Sequence, residues 1–211
     1  MTKILLTTAY LPPIDYIKAI MEASEVEIEY CENYQKRTYR NRAIILTANG
    51  PLSLSIPVNK PKGNHTPINE ITIDNTENWQ HDHWQAIKSA YNRSPFYEYY
   101  ADLLSPIYQQ EKQLLVDFNQ EVLQIIFKII GKKLSVNHSN TFIKSPLDVI
   151  DLRDIHQIHK QGKTIYCIPE YPQVFDYKHP FTSPVSILDL IFNQGNYCPI
   201  YLQSMQKTNL I

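Results

Sequence analysis

The first thirty residues constrain the fold more than any other stretch. Residues 3–30 read KILLTTAYLPPIDYIKAIMEASEVEIEY. Ile4, Leu5 and Leu6 form an apolar run too short for a helix, bounded by Thr7 and Thr8, and suit a buried strand. Leu11 and Pro12 each precede a proline, which disfavours helical backbone at both and predicts an extended loop. Pro13 fits a first helical position, where a missing N–H costs nothing. Ile17, Ile20 and Met21 follow at helical spacing, with Lys18 and Glu22 on the other side. Val26, Ile28 and Tyr30 then alternate with Glu25, Glu27 and Glu29, the period of a half-solvated strand. The expected unit is strand, proline-fixed loop, helix, strand.

If those strands are parallel neighbours, the Tyr10 loop leaves the carboxyl end of the first one. Open α/β sheets bind ligands at that rim, and a helix N-terminus there offers N–H groups to an anion. The competing reading makes Tyr10-Leu11-Pro12-Pro13 a rigid turn with its tyrosine in the core. The basic stretch 33–42 (NYQKRTYRNR) also follows a strand. It reads as a solvated loop that shares this rim.

Further along, residues 43–46 and 52–58 flank Asn49-Gly50, a type I′ hairpin signal, and 70–74 suggests a short strand. Helical spacing is expected from Asn78 to Ser94-Pro95, over 96–104, and over 109–130 with Gly131 as its C-cap. Residues 132–145 read as a polar, variable connection, 148–160 as a helix and 164–168 as a strand. Ser186-Ile187-Leu188-Asp189 has capping-box form ahead of Leu190, Ile191 and Phe192, with Gly195 as terminator. Residues 199–202 read as a docking tail. The whole is expected to be a mixed α/β protein with a largely parallel sheet, an N-terminal β-α-β unit, one β-hairpin and a helical middle. One domain over 1–211, with a mainly helical subdomain at about 78–131, is the expected organisation.

Net charge of -1 leaves no basic excess for a phosphate backbone, so no nucleic-acid partner is expected. Three separated cysteines, Cys31, Cys167 and Cys198, fit reduced thiols and a cytoplasmic location. No run approaches the roughly 20 apolar residues of a membrane span. The dinucleotide fingerprint, the phosphate loop and the G-x-S-x-G nucleophile elbow are all absent. Cofactor and oligomeric state therefore have no signature.

His81-Asp82-His83 is a weak metal motif, because i and i+2 side chains on a helix diverge, and no metal is assigned. His156 and His159 read as solvated. His83 shares a helix face with Ile87 and Ala90 and so points inward. It is either a histidine satisfied by backbone or a general base of near-neutral pKa, with Tyr91 two turns away.

The ordered set of motifs resembles the WbqC-like protein family. It comprises Tyr10-Leu11-Pro12, Gln35-Lys36, Asn41-Arg42, Ile56-Pro57-Val58, His83 with Ala90-Tyr91, Ser94-Pro95-Phe96, Tyr171-Pro172-Gln173 and the run from Ser186 to Gly195. Relatives carry His or Gln with Pro before the first motif and Trp-Gly after it, where this chain has Thr8-Ala9 and Pro13-Ile14-Asp15. The resemblance implies modification of bacterial surface-polysaccharide precursors, through acyl or aminoacyl transfer to a nucleotide-linked amino sugar.

The candidate site that results has Tyr10, Asn41, Arg42 and Gln173 binding a small polar or anionic ligand, a nucleotide sugar among the candidates. Arg42 would pair with phosphate or carboxylate. His83 and Tyr91 would be the catalytic pair. Two alternatives stand beside it. One is a non-catalytic binding or assembly module that uses the aromatic surface at 96–100. The other is a degenerate nucleotidyltransferase-like fold.

Overall fold

The computed structural model describes residues 2–154 and 164–208. Strand β1 (Lys3–Thr7), helix α1 (Ile14–Glu22) and strand β2 (Glu25–Glu29) form the expected unit. The strands pair parallel, from Lys3 opposite Glu25 to Thr7 opposite Glu29. Val26 and Ile28 are buried as the alternation requires, but so is Glu29, which leaves the pattern at the strand's carboxyl end.

The hairpin is β3 (Arg42–Thr47) against β4 (Gly50–Ser55), with Thr47 opposite Gly50. Its loop is therefore Ala48-Asn49. Gly50 carries the left-handed backbone, at φ 97°, where neither loop residue does. The turn is thus not the expected type I′ centred on Asn49-Gly50. Strand β5 (Val58–Asn59) pairs antiparallel with β6 (Thr72–Ile73).

Helices α2 (Trp79–Tyr91), α3 (Tyr97–Leu104) and α4 (Leu115–Ile129) follow. Helix α4 starts six residues later than its spacing suggested. Ile71 N–H and carbonyl lie in an extended segment there, and Leu115 N–H donates to the Ile71 carbonyl at 3.0 Å. Gly131, at φ 66°, ends the helix as expected.

Strands β7 (Asn137–His138) and β8 (Ile150–Asp151) correct two expectations. The first lies in the supposed variable connection and the second in the supposed helix 148–160. Residues 155–160, with His156 and His159, lie outside the described residues. Both strands add parallel to the first sheet, giving the order β7-β2-β1-β8. Residues 164–168 contribute only an isolated bridge, Tyr166 to Lys207, rather than a strand. The run 199–202 belongs to helix α6 (Cys198–Ser204), which follows α5 (Ile187–Gln194).

All four strands of the parallel sheet thus end on one rim. Buried apolar residues from β1, α1, β3, α2, α4 and α5 form one contiguous core beneath it. Among the described residues, no helix is long and apolar enough to cross a membrane.

Candidate functional site

The loop after β1 is held from several sides. Tyr10 N–H donates to the Tyr39 carbonyl at 2.8 Å, and Ile187 N–H donates to the Pro12 carbonyl at 2.9 Å. Pro13 also bridges Ser186. Leu11 adopts φ 40°, which departs from the extended backbone expected before a proline. A non-glycine residue in that region persists only where its surroundings over-determine it. Asp15 lies buried in the first turn of α1, whose N-terminus carries no side-chain cap.

This fixed loop aims Tyr10 at His83. The tyrosine hydroxyl lies 2.9 Å from Nδ1 of His83 and 2.9 Å from the hydroxyl of Tyr108. Trp79 packs edge-on against the His83 ring, and Phe118 against Tyr10 and Trp79. Burial lowers the imidazole pKa to about 4, against the opposing effects of Asp82 and the Ser55 backbone. In the neutral imidazole, the tautomer decides which of Tyr10 and Nδ1 donates across this contact. Burial also raises the pKa of both tyrosines, so the chain Tyr108–Tyr10–His83 is neutral.

Ser55 is the register partner of Arg42 across the hairpin. Arg42 therefore stands at the same end of the hairpin as His83. Its side chain makes no hydrogen bond or ion pair to any described residue, and its Nε is buried without a partner. Asn41 is spent on structure: its Nδ2 donates to the Ile56 carbonyl at 2.7 Å, which leaves Oδ1 without a partner.

Beside them is a polar cluster that the sequence did not announce. Arg40, 1% exposed, grips Glu32 with Nε–Oε1 at 2.9 Å and Nη2–Oε2 at 2.7 Å. Burial pushes the Glu32 carboxyl up while the Arg40 guanidinium opposes it. Asn119 of α4 donates through Nδ2 to the Arg40 carbonyl at 2.8 Å and to Thr8 Oγ1 at 3.1 Å. Tyr34 feels the charge of both Arg42 and Arg40. Glu29 accepts from Ser139 Oγ at 2.5 Å and from Ile143 N–H, with Arg153 Nη1 at 3.5 Å. The basic stretch 33–42, read as a solvated loop, thus contributes a buried guanidinium. Its only sequence cue was Glu32 eight residues upstream.

Tyr91 and Gln173 belong to a different centre. The Tyr91 hydroxyl accepts from Leu46 N–H at 3.3 Å and neighbours Asp189. Asp189 Oδ2 also accepts from Tyr171 at 2.6 Å and from Gln173 Nε2 at 2.8 Å. Gln173 uses both ends of its amide, since its Oε1 accepts from Thr182 N–H. Eight residues of helix, about 12 Å, separate Tyr91 from His83. Leu46 likewise lies four residues, about 13 Å, from Arg42 along β3. The structure therefore joins Tyr10 with His83 and sets Arg42 near them, while Tyr91 and Gln173 gather around Asp189. No group of three His, Cys, Asp or Glu side chains suited to a metal occurs among the described residues.

Fold and rim together define an α/β protein whose polar groups collect at the carboxyl ends of a small parallel sheet. The WbqC-like protein family matches residues 8–166, and the chain belongs to that family. It is 28% identical over 220 residues to the uncharacterized protein Rv1507c of Mycobacterium tuberculosis, covering 92% of this chain and 94% of that protein. No solved structure matches it.

Proposed function

We propose that the chain binds a small anionic ligand of the sugar-phosphate kind at the carboxyl rim, and that it serves in modification of surface-polysaccharide precursors. The observation that carries the reading is the guanidinium of Arg42, which has no hydrogen-bond or ion-pair partner among the described residues, acts electrostatically on Tyr34, and is rooted opposite Ser55, the backbone neighbour of His83. An arginine with no carboxylate partner among the described residues suits phosphate or carboxylate. Acyl or aminoacyl transfer to the amine of a nucleotide-linked amino sugar is the chemistry that the family resemblance adds. His83 would then take the proton that the attacking amine loses, through the Tyr10 hydroxyl.

A second reading, a binding module without turnover, is favoured by one specific observation. His83 is buried with its Nδ1 engaged by Tyr10, and an imidazole with a pKa of about 4 is a weak base. Thermal unfolding with UDP-glucosamine, UDP-glucose and inorganic phosphate tests the binding. A ligand at 100 times its Kd stabilises by about 2.7 kcal/mol. The expected result is stabilisation by a nucleotide sugar that Arg42→Ala removes. No stabilisation by any of the three, or stabilisation unchanged in Arg42→Ala, overturns the site. If binding stands, acyl transfer assays of wild type and His83→Gln separate enzyme from module.

A further inference from the structure

We propose that the chain has a second binding site, for a small organic cation, in the cavity beside the 173–182 loop. This inference is independent of the Arg42 rim. The cavity has a volume of about 370 Å³ and is lined by Glu170, Tyr171, Asp176, His179 and Phe181, among others. That volume suits a ring-sized ligand. No lysine or arginine lines it. The carboxylates of Glu170 and Asp176 have no ion pair or side-chain hydrogen bond with any described residue.

The walls are built rather than incidental. Gln173 clamps Thr182 through both its amide oxygen and its amide nitrogen, closing the ends of the loop. Gln173 and Tyr171 are in turn anchored on the buried Asp189. The Tyr171 and Phe181 rings meet edge-on with centroids 5.1 Å apart. His179 Nε2 donates to the Ala48 carbonyl at 3.0 Å, which ties the loop to the hairpin. The site thus offers two carboxylates with no ion pair among the described residues and aromatic surface beside them, the complement of an ammonium carried on a compact ring.

The test is isothermal titration of the full chain with cyclohexylamine at neutral pH, where it is protonated. Cyclohexanol serves as the uncharged counterpart and magnesium as a hard cation, with amide NMR shifts to locate binding. The expected result is saturable one-to-one binding of the amine, with shifts at residues 170–181 and cyclohexanol at least about tenfold weaker. Glu170→Gln combined with Asp176→Asn, both exposed positions, should weaken the amine by about tenfold at unchanged thermal stability. Arg42→Ala should leave it intact. Equal affinity for cyclohexanol, binding of magnesium alone, absence of saturable binding, undiminished affinity in the double variant, or loss in Arg42→Ala would each overturn the proposal.

Discussion

The Tyr10 hydroxyl sits 2.9 Å from Nδ1 of His83, joining residues 73 apart in the chain. Burial keeps the imidazole neutral by lowering its pKa to about 4. The unfolded chain binds that proton near the ordinary value of 6.5. Between those values the unfolded state holds more protons, so stability rises with pH across the window and falls on acidification. The ceiling of this effect is about 3 kcal/mol. Urea unfolding from pH 7 to pH 4 should show wild type losing more stability than His83→Gln. Parallel pH curves for the two proteins would contradict it.

Tyr10 and Tyr108 differ in what they leave behind. Tyr10→Phe strands both Nδ1 of His83 and the Tyr108 hydroxyl, whereas Tyr108→Phe removes only the outer member of the chain. An abandoned buried polar group costs about 1–3 kcal/mol. Tyr10→Phe should therefore destabilise by about 2 kcal/mol more than Tyr108→Phe. Denaturant midpoints measure this, and equal losses would show that His83 does not depend on Tyr10.

The Arg40–Glu32 pair is nearly inaccessible, with side chains 1% and 6% exposed. Removing one partner from such a pair costs about 3–5 kcal/mol, because the other charge stays buried alone. Arg40→Met should destabilise by that amount. The double variant Arg40→Met with Glu32→Leu should recover much of it, since no charge then remains to desolvate. A double variant as unstable as Arg40→Met would show that the cost lies in the Arg40 packing.

Most of the framework was legible because it rests on local period. The β1–α1–β2 unit, the hairpin and helices α2, α3 and α5 each carry several apolar residues in register with their own geometry. Strands β7 and β8 were not legible. Each has two residues, Asn137-His138 and Ile150-Asp151, and is specified by pairing with β2 and β1 rather than by its own pattern. The site was legible in part for the same reason. His83 was visible as an inward-facing member of a helix, and Tyr10 as the tyrosine of the proline-fixed loop that leaves β1. Arg40, Asn119 and Glu32 were not, since an ion pair is a relation between distant segments. Tyr91 and Gln173 were recognised as notable, yet what joins them is Asp189. In the expected capping box this residue bonds backbone at the start of α5. Its carboxylate turns instead to Tyr171 and Gln173, and Ser186 Oγ alone caps the helix, accepting from Leu188 N–H at 3.3 Å.

Gly195 closes α5 under two separate constraints that substitution can divide. Its φ is 54°, a region costly for residues with a Cβ. A Cβ there would also stand 2.3 Å from Cδ1 of Phe96, whose own N–H donates to the Phe192 carbonyl at 3.1 Å. Gly195→Ala should therefore lose about 1 kcal/mol from backbone strain, and a further 1–3 kcal/mol from overpacking against the ring. Phe96→Ala costs packing of its own but removes the obstacle. In a double-mutant cycle, the overpacking share should vanish when Phe96 is absent, leaving Gly195→Ala with only the backbone share. Urea unfolding of the four proteins reads the coupling directly. Strict additivity would mean that Phe96 yields to the new methyl group without cost, and that the glycine is required for its conformation alone.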